Sequence, residues 1–161
     1  MTVRLVLAVA LAAALIAAAT PAIDSARTTR TERLAERDVD RVAEAATTLA
    51  TEESPGARRT LAVSLPARSP TAAAVVVAIG GVEGGERVED SPRRDVLAFS
   101  VAGGPRRVRR VGTDLRVSRG GAVAGSDAAA LVLRGGETYT VTLRLRRVDG
   151  RRTVVVSVER E

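Results

Sequence analysis

The stretch TYTVTLRLRRVDGRRTVVVSVE (138–159) decides the fold of the carboxyl half. Two runs of alternating residues flank Asp149 and Gly150, a pair that tolerates the positive φ angles of a two-residue hairpin turn. With Val148 opposite Arg151, the register sets Tyr139, Val141, Leu143 and Leu145 against Arg160, Val158, Val156 and Val154 on one face. Thr140 and Thr142 then meet Glu159 and Ser157 on the other. The same register brings Arg147 against Arg152, a like-charged pair expected to splay into solvent or meet an acidic partner.

Working upstream from this hairpin, short Val-rich runs bounded by Gly and Pro predict further strands near 60–65, 72–79, 96–101, 106–111, 115–118 and 130–134. In 96–101 the alternation makes Leu97, Phe99 and Val101 the core face. No helical patterns of the kind parallel crossovers need lie between these runs, so an antiparallel sheet or sandwich is expected. With one Tyr, one Phe and no Trp, its core must be made of Val, Leu and Ala.

The amino-terminal third reads differently. Residues 5–23 form a nineteen-residue run without a charged side chain, about 28 Å as a helix and close to the hydrocarbon thickness of a bilayer. Nine of the nineteen are Ala, which weakens insertion and gives neighbouring helices a role. A retained membrane helix, a cleaved signal peptide and a buried soluble helix all fit. Small residues at Ala17, Ala18 and Ala19, or at Ser25 and Ala26, would suit a signal peptidase. Pro21 marks either a kink or the membrane boundary.

Beyond it, Leu34, Val42 and Leu49, with Ala35, Ala45 and Ala46 nearby, make a narrow apolar stripe on a charged helix. A single helix over 3–50 would reach roughly 72 Å, longer than a domain of this size requires. The chain is thus expected to be α+β: an anchor at 1–23, an amphipathic helical stalk at 24–53, a linker at 54–59 and a β-rich domain at 60–161. The stalk is read either as a spacer or as an assembly face formed by Leu34, Val42 and Leu49.

Composition narrows the chemistry. All 25 basic residues are Arg, and the chain lacks Lys, His, Asn, Gln and Cys. That removes the usual imidazole base, thiolate nucleophile and nitrogen or sulfur metal ligands. No HExxH, CxxC, phosphate loop or nucleophile elbow is present. Glu83, Glu86, Glu89, Asp90 and Asp95 offer oxygen ligands, but their spacing is not that of a Ca²⁺ loop, and they read as a solvated acidic loop. The expectation is a noncatalytic chain with no cofactor and no metal; the alternative is an exported carboxylate-dependent hydrolase, which would need two acids held in a pocket that the linear sequence does not identify.

A formal charge of +6 admits an anionic surface or acidic partner, while the lack of an aromatic platform argues against a nucleic-acid reader. Arg106, Arg107, Arg109 and Arg110 (RRVRR) form the candidate basic docking face, or else a solvated strand that protects a sheet edge.

The long amino-terminal helix over 3–50, apolar in its first half and followed by a β-rich domain, resembles type IV pilin-like proteins and pseudopilins, more narrowly small membrane proteins of halophilic archaea associated with pilus or secretion systems. The resemblance implies a helix whose apolar half anchors in the membrane and packs in a filament core, an extracytoplasmic carboxyl domain, and membrane lipid, pilin-like or secretion-system proteins, or further copies of the chain as partners. Pro21 resembles a helix kink of that family. The departures are a short leader, Met1 to Arg4, with no assignable processing site, no acid within the apolar run, and a positive charge unusual for an exported haloarchaeal protein. They favour a minor or accessory component. Against the implied orientation stands the count of arginines, with Arg4 before the apolar run and Arg27, Arg30, Arg33, Arg37 and Arg41 after it, which would place the carboxyl side in the cytoplasm.

Overall fold

The carboxyl-terminal hairpin forms in the expected register. In the computed structural model, which describes residues 2–80, 95–124 and 130–161, Thr138–Val148 pairs with Arg151–Arg160 from Tyr139 opposite Arg160 through to Val148 opposite Arg151. Asp149 and Gly150 close the turn with φ of 54° and 77°, the left-handed pair that matches the twist of the flanking strands.

Nine strands follow one long helix among the described residues. The helix, α1, spans Thr2–Glu52. The strands are β1 (Arg58–Ser64), β2 (Val75–Ile79), β3 (Val96–Val101), β4 (Arg107–Arg110), β5 (Asp114–Arg119), β6 (Ala122–Val123), β7 (Leu131–Arg134), β8 (Thr138–Val148) and β9 (Arg151–Arg160). They make two sheets, ordered β1-β8-β9-β5-β6 and β4-β3-β2-β7. The α+β architecture is as expected, a long apolar amino-terminal helix followed by two largely antiparallel sheets. One pair is parallel: β5 runs alongside β9, with Leu115 beside Val154 and Val117 beside Val156. No crossover helix is needed, because the intervening chain visits the other sheet as β7 and returns through β8.

Alternation selects the inner faces. Leu97, Phe99 and Val101 of β3, Val75, Val77 and Ile79 of β2, and Leu133 of β7 share one apolar core with Val141, Leu143, Leu145, Val154 and Val156 of the other sheet. The third contributor to that core is the helix. Ala35, Val39, Val42, Ala46 and Leu49, at alternating spacings of four and three residues, are buried in the same cluster, the spacing that keeps one helical face in contact. This stripe meets β1, β8 and β9 of one sheet and β2, β3 and β4 of the other. Where Val39 and Val42 converge with Val63, Val77, Ile79, Leu97 and Leu133, the remaining gap is about 10 Å³, room for one water at most.

The stretch expected to be a separate stalk is therefore, from Thr31 onward, part of the β domain's own core. Buried Thr31 shows how the junction is fixed: its Oγ1 donates to Arg27 O (2.9 Å) and accepts from the Ala73 N–H (3.0 Å), stitching the segment before β2 to the helix. The expected linker shortens as well, since Arg58 and Arg59 already pair with Arg144 and Leu143. At the same end of the domain as Thr31, Gly135 passes so close to the chain after β1 that a Cβ would lie 2.6 Å from Pro66 O.

The amino-terminal half of α1 has no such packing. Val3, Leu5, Val6, Leu7, Val9, Leu11, Leu15, Ile16 and Ile23 are all exposed and point to every side of the helix. Helical structure runs through Pro21 without interruption. The segment is long and apolar enough to cross a membrane, with a mean hydropathy of 2.4 over its best window. In water, leaving each large apolar side chain exposed forgoes about 1.5–3 kcal/mol of burial; a helix apolar on all sides belongs in a bilayer or a protein interior.

Because Leu49 is fully buried and Leu34 only half-buried, Leu49→Ala is expected to cost about 2–5 kcal/mol and Leu34→Ala markedly less. Denaturant unfolding of the full chain in detergent, followed by circular dichroism, measures both; equal losses would contradict the placement of the stripe.

Candidate functional site

The residues singled out by sequence do not converge on one site. Val42 and Leu49, at 4% and 0% exposure, are consumed by the core of their own domain, so the seam drawn through Leu34, Val42 and Leu49 is not an available assembly face. Leu34 lies roughly a quarter turn from the centre of the true stripe, and Ala35 and Val39 take its place.

The four arginines of RRVRR are divided by the pleat of β4. Arg107 pairs across the ladder with Phe99 and Arg109 with Leu97, so both sit on the helix-facing side. There Arg107 Nη2 donates to Glu32 Oε2 at 2.9 Å and Arg109 Nε lies 3.2 Å from Asp40 Oδ1. Val108 and Arg110 sit on the opposite face, across from Ala98 and Val96. Arg106 and Arg110 have polar interactions of their own. The expectation of a single basic docking face is corrected accordingly: alternation splits it, and helix carboxylates neutralise the inward half. Exposed pairs of this kind contribute up to about 1 kcal/mol each, enough to set the rotation of β4 against the helix.

At the far end of the helix, Arg152 resolves the like-charged pair with Arg147. It lies opposite Arg147 as expected, and its Nη2 donates to Glu53 O. Carbonyls at a helix carboxyl end lack intrahelical partners and carry the negative end of the macrodipole, which a guanidinium satisfies on both counts. Of the acidic loop, Glu83, Glu86, Glu89 and Asp90 lie outside the described residues. Asp95 is described, and its Oδ1 accepts from the Leu115 N–H at 3.0 Å. No group of three or more potential metal ligands occurs among the described residues.

Two polar clusters were not legible beforehand. In the first, Tyr139 Oη accepts from the Arg134 N–H (2.9 Å), donates to Glu137 Oε2 (2.6 Å) and lies 3.2 Å from Arg134 O. Arg160 Nη1 bonds the other carboxylate oxygen of Glu137 at 3.0 Å. The phenol's hydrogen bond, and secondarily Arg160, hold the Glu137 carboxyl below its ordinary range despite partial desolvation. Burial, and then Glu137, push the Tyr139 hydroxyl above its own. The phenol stays protonated and acts as a clamp between the β7–β8 turn and the last strand, not as a base. In the second cluster, Thr153 Oγ1 donates to Asp114 Oδ2 (2.6 Å), and Arg116 bridges Asp114 and Asp149 at 3.3 and 3.1 Å. Arg116 Nε is buried and not aligned for a hydrogen bond, so its contact with Asp114 is coulombic.

Among the described residues, two of the surface clefts are large enough to hold a small ligand. One, of about 510 Å³, lies on the outer face of the five-stranded sheet and is lined by Arg58, Thr142, Arg144, Arg146, Ser157 and Glu159 among others. The other, of about 350 Å³, is bounded by Arg27, Arg68, Ala73, Ala74, Ala102 and Gly103. Each joins segments far apart in the chain. The only trace in the sequence was the alternation that puts Arg144 and Arg146 on the solvent side of β8.

A protein-family model described as a domain of unknown function (DUF7311) matches residues 2–159. The chain belongs to this family. The DUF7311 match takes in the apolar half of α1 together with the sheets, so helix and β domain fall within one unit. No curated protein and no solved structure matches the chain.

Tyr139→Phe strands the Arg134 N–H and removes a donor from Glu137, an expected loss of about 1–3 kcal/mol by denaturant unfolding. Because the Glu137 pKa is lowered on folding, its contribution is complete above the unfolded-state pKa and lost as pH falls through the folded value. Stability of Glu137→Gln should therefore fall less steeply than wild type over that acidic range; parallel curves would remove the clamp's electrostatic role.

Proposed function

We propose that this chain is a noncatalytic structural or interaction component of a pilus-like or secretion assembly in the cell envelope, held in the membrane by the first half of α1 with its β domain outside the cytoplasm. One observation carries the reading. A single 51-residue helix is apolar and exposed in its first half and locked by Thr31, Val39, Val42 and Leu49 into a β domain in its second. Such a helix transmits position rigidly from lipid to domain, which a signal peptide or a flexible tether does not need. The likeness to pilin-like proteins in this division of labour supports the extracytoplasmic orientation. The family match extends through the apolar half, in keeping with that segment being part of the working protein.

With Val42 and Leu49 turned into the domain, self-association in the assembly falls to the membrane half. Ala10, Ala14 and Ala18 lie at four-residue spacing there, and small residues at that interval let helices approach closely in lipid. The alternative is an accessory domain that is anchored but never joins a filament. The two differ in what touches the apolar helix. A scan of single Cys substitutions over residues 7–18, each the sole thiol in a Cys-free chain, followed by crosslinking in native membranes, is expected to give oligomers or pilin-directed products with helical periodicity peaking near Ala10, Ala14 and Ala18. A monomer at every position would establish the accessory anchor instead.

A further inference from the structure

The cleft at the helix-proximal end of the domain has a defined distance from the apolar segment. Arg27 lies four residues past Ile23, about 6 Å along the axis, and Thr31 about 12 Å. The headgroup layer on each side of a bilayer is about 5–7 Å deep. Arg27 falls within that layer and lines the cleft with the loops around Ala73 and Gly103, and Thr31, where the domain is fixed, lies just beyond it. Those loops are tied to the helix and to each other: the Ala73 N–H bonds Thr31 Oγ1 at 3.0 Å, and the Ala102 N–H bonds Ala74 O at 2.7 Å. Ala102 holds a φ of 52°, a left-handed conformation that disfavours a non-glycine residue, in the turn that closes the cleft.

The chemistry of the cleft is cationic at its rim and small on its walls. Arg27 and Arg68 flank Ala73, Ala74, Ala102 and Gly103. Arg68 is exposed and makes no ion pair among the described residues. Arg30 is exposed on the next part of the helix. Arg27 is shared with Asp24 at 3.1 Å, an exposed pair for which a phosphate competes, whereas Glu32 is held by Arg107 and Glu137 by Arg160 and Tyr139. Guanidinium groups on long aliphatic stems at this depth match lipid phosphate in charge and in hydrogen-bond geometry.

We infer that the cleft between Arg27 and Arg68 binds the phosphate-bearing headgroup of an anionic phospholipid, seating the β domain on the bilayer surface. This rests on the membrane-anchored reading of α1 and adds to it a lipid preference and a contact surface. Docking of this kind orients the domain as well as tethering it, because the Thr31 and Ala102 hydrogen bonds leave the loops little freedom to turn from the helix.

The test uses the full chain reconstituted in phosphatidylcholine vesicles with or without phosphatidylglycerol. A fluorophore on Leu11→Cys, quenched by acyl-chain-brominated lipid, reports insertion. A photoactivatable phosphatidylglycerol headgroup reports which segments it touches. Crosslinks are expected to concentrate in residues 66–74 and 102–104, to fall about fivefold for each of Arg27→Gln and Arg68→Gln, and to weaken with salt. Arg144→Gln with Arg146→Gln, on the outer sheet face toward the helix's carboxyl end, should change nothing. Normal Leu11 quenching with crosslinks that ignore Arg27 and Arg68, or that map elsewhere, overturns the headgroup site and leaves the anchor standing. Absence of quenching at the Leu11→Cys label with Arg27 and Arg68 intact overturns the anchor and the site together.

Discussion

The burial of Ala35, Val39, Val42, Ala46 and Leu49 against both sheets at once is the contact on which the remainder of the molecule depends. A domain with a single Phe and a single Tyr has few large side chains with which to fill the space between two β layers. The helix supplies the missing volume, and its alanines let its backbone come close enough for Val and Leu from the strands to reach it. At about 25 cal/mol per Å² of apolar surface removed from water, several such side chains together outweigh any of the exposed ion pairs. Removing the helix would open the core, not merely detach a spacer.

That contact has a mechanical consequence. Helical structure continues along α1 through Pro21, where only the bond from the missing prolyl N–H is lost, so whatever surrounds the apolar half is linked to the domain by a rod and not by a string. The packing stripe sets which face of the rod the sheets occupy. Arg107 with Glu32 and Arg109 with Asp40 set the rotation of β4 about it, and Arg152 at Glu53 closes the far end. None of these charges is a strong stabiliser in solvent, yet together they make one docking arrangement better satisfied than its neighbours.

Arginine, the only basic residue in the chain, takes several physical roles here. On β4 it neutralises helix carboxylates, at position 152 it satisfies the Glu53 carbonyl at the end of the helix, at 116 it joins Asp114 to Asp149, and at 160 it fixes Glu137. A chain with no Lys and no His must meet each of these demands with the same side chain, so local abundance of Arg is a poor guide to function. What distinguishes Arg68 is its position, across a cleft from Arg27.

Much of the fold was legible because its determinants are local. The Asp149-Gly150 turn and period-two alternation set the β8–β9 register down to the Arg147–Arg152 pair, the alternation in β3 named Leu97, Phe99 and Val101 as core, and the uncharged run over 5–23 marked a helix apolar on every side. The site residues were not legible, because their meaning depends on which surface a neighbour covers. Leu34, Val42 and Leu49 carry helical periodicity whether they face a second molecule or their own sheets; a shift of a quarter turn and the arrival of both sheets made Val42 and Leu49 core. Likewise RRVRR reads as one basic patch until a pleat turns alternate residues to opposite faces and brings Glu32 and Asp40 from more than sixty residues away. Sequence by itself determined the elements, the hairpin and the two-part character of the helix, since turns, strands and apolar runs are governed by residues within a few positions of each other. Only the tertiary structure decided which apolar stripe is spent inside the domain, which arginines are neutralised and where the clefts lie, since those depend on packing between segments that no local pattern connects.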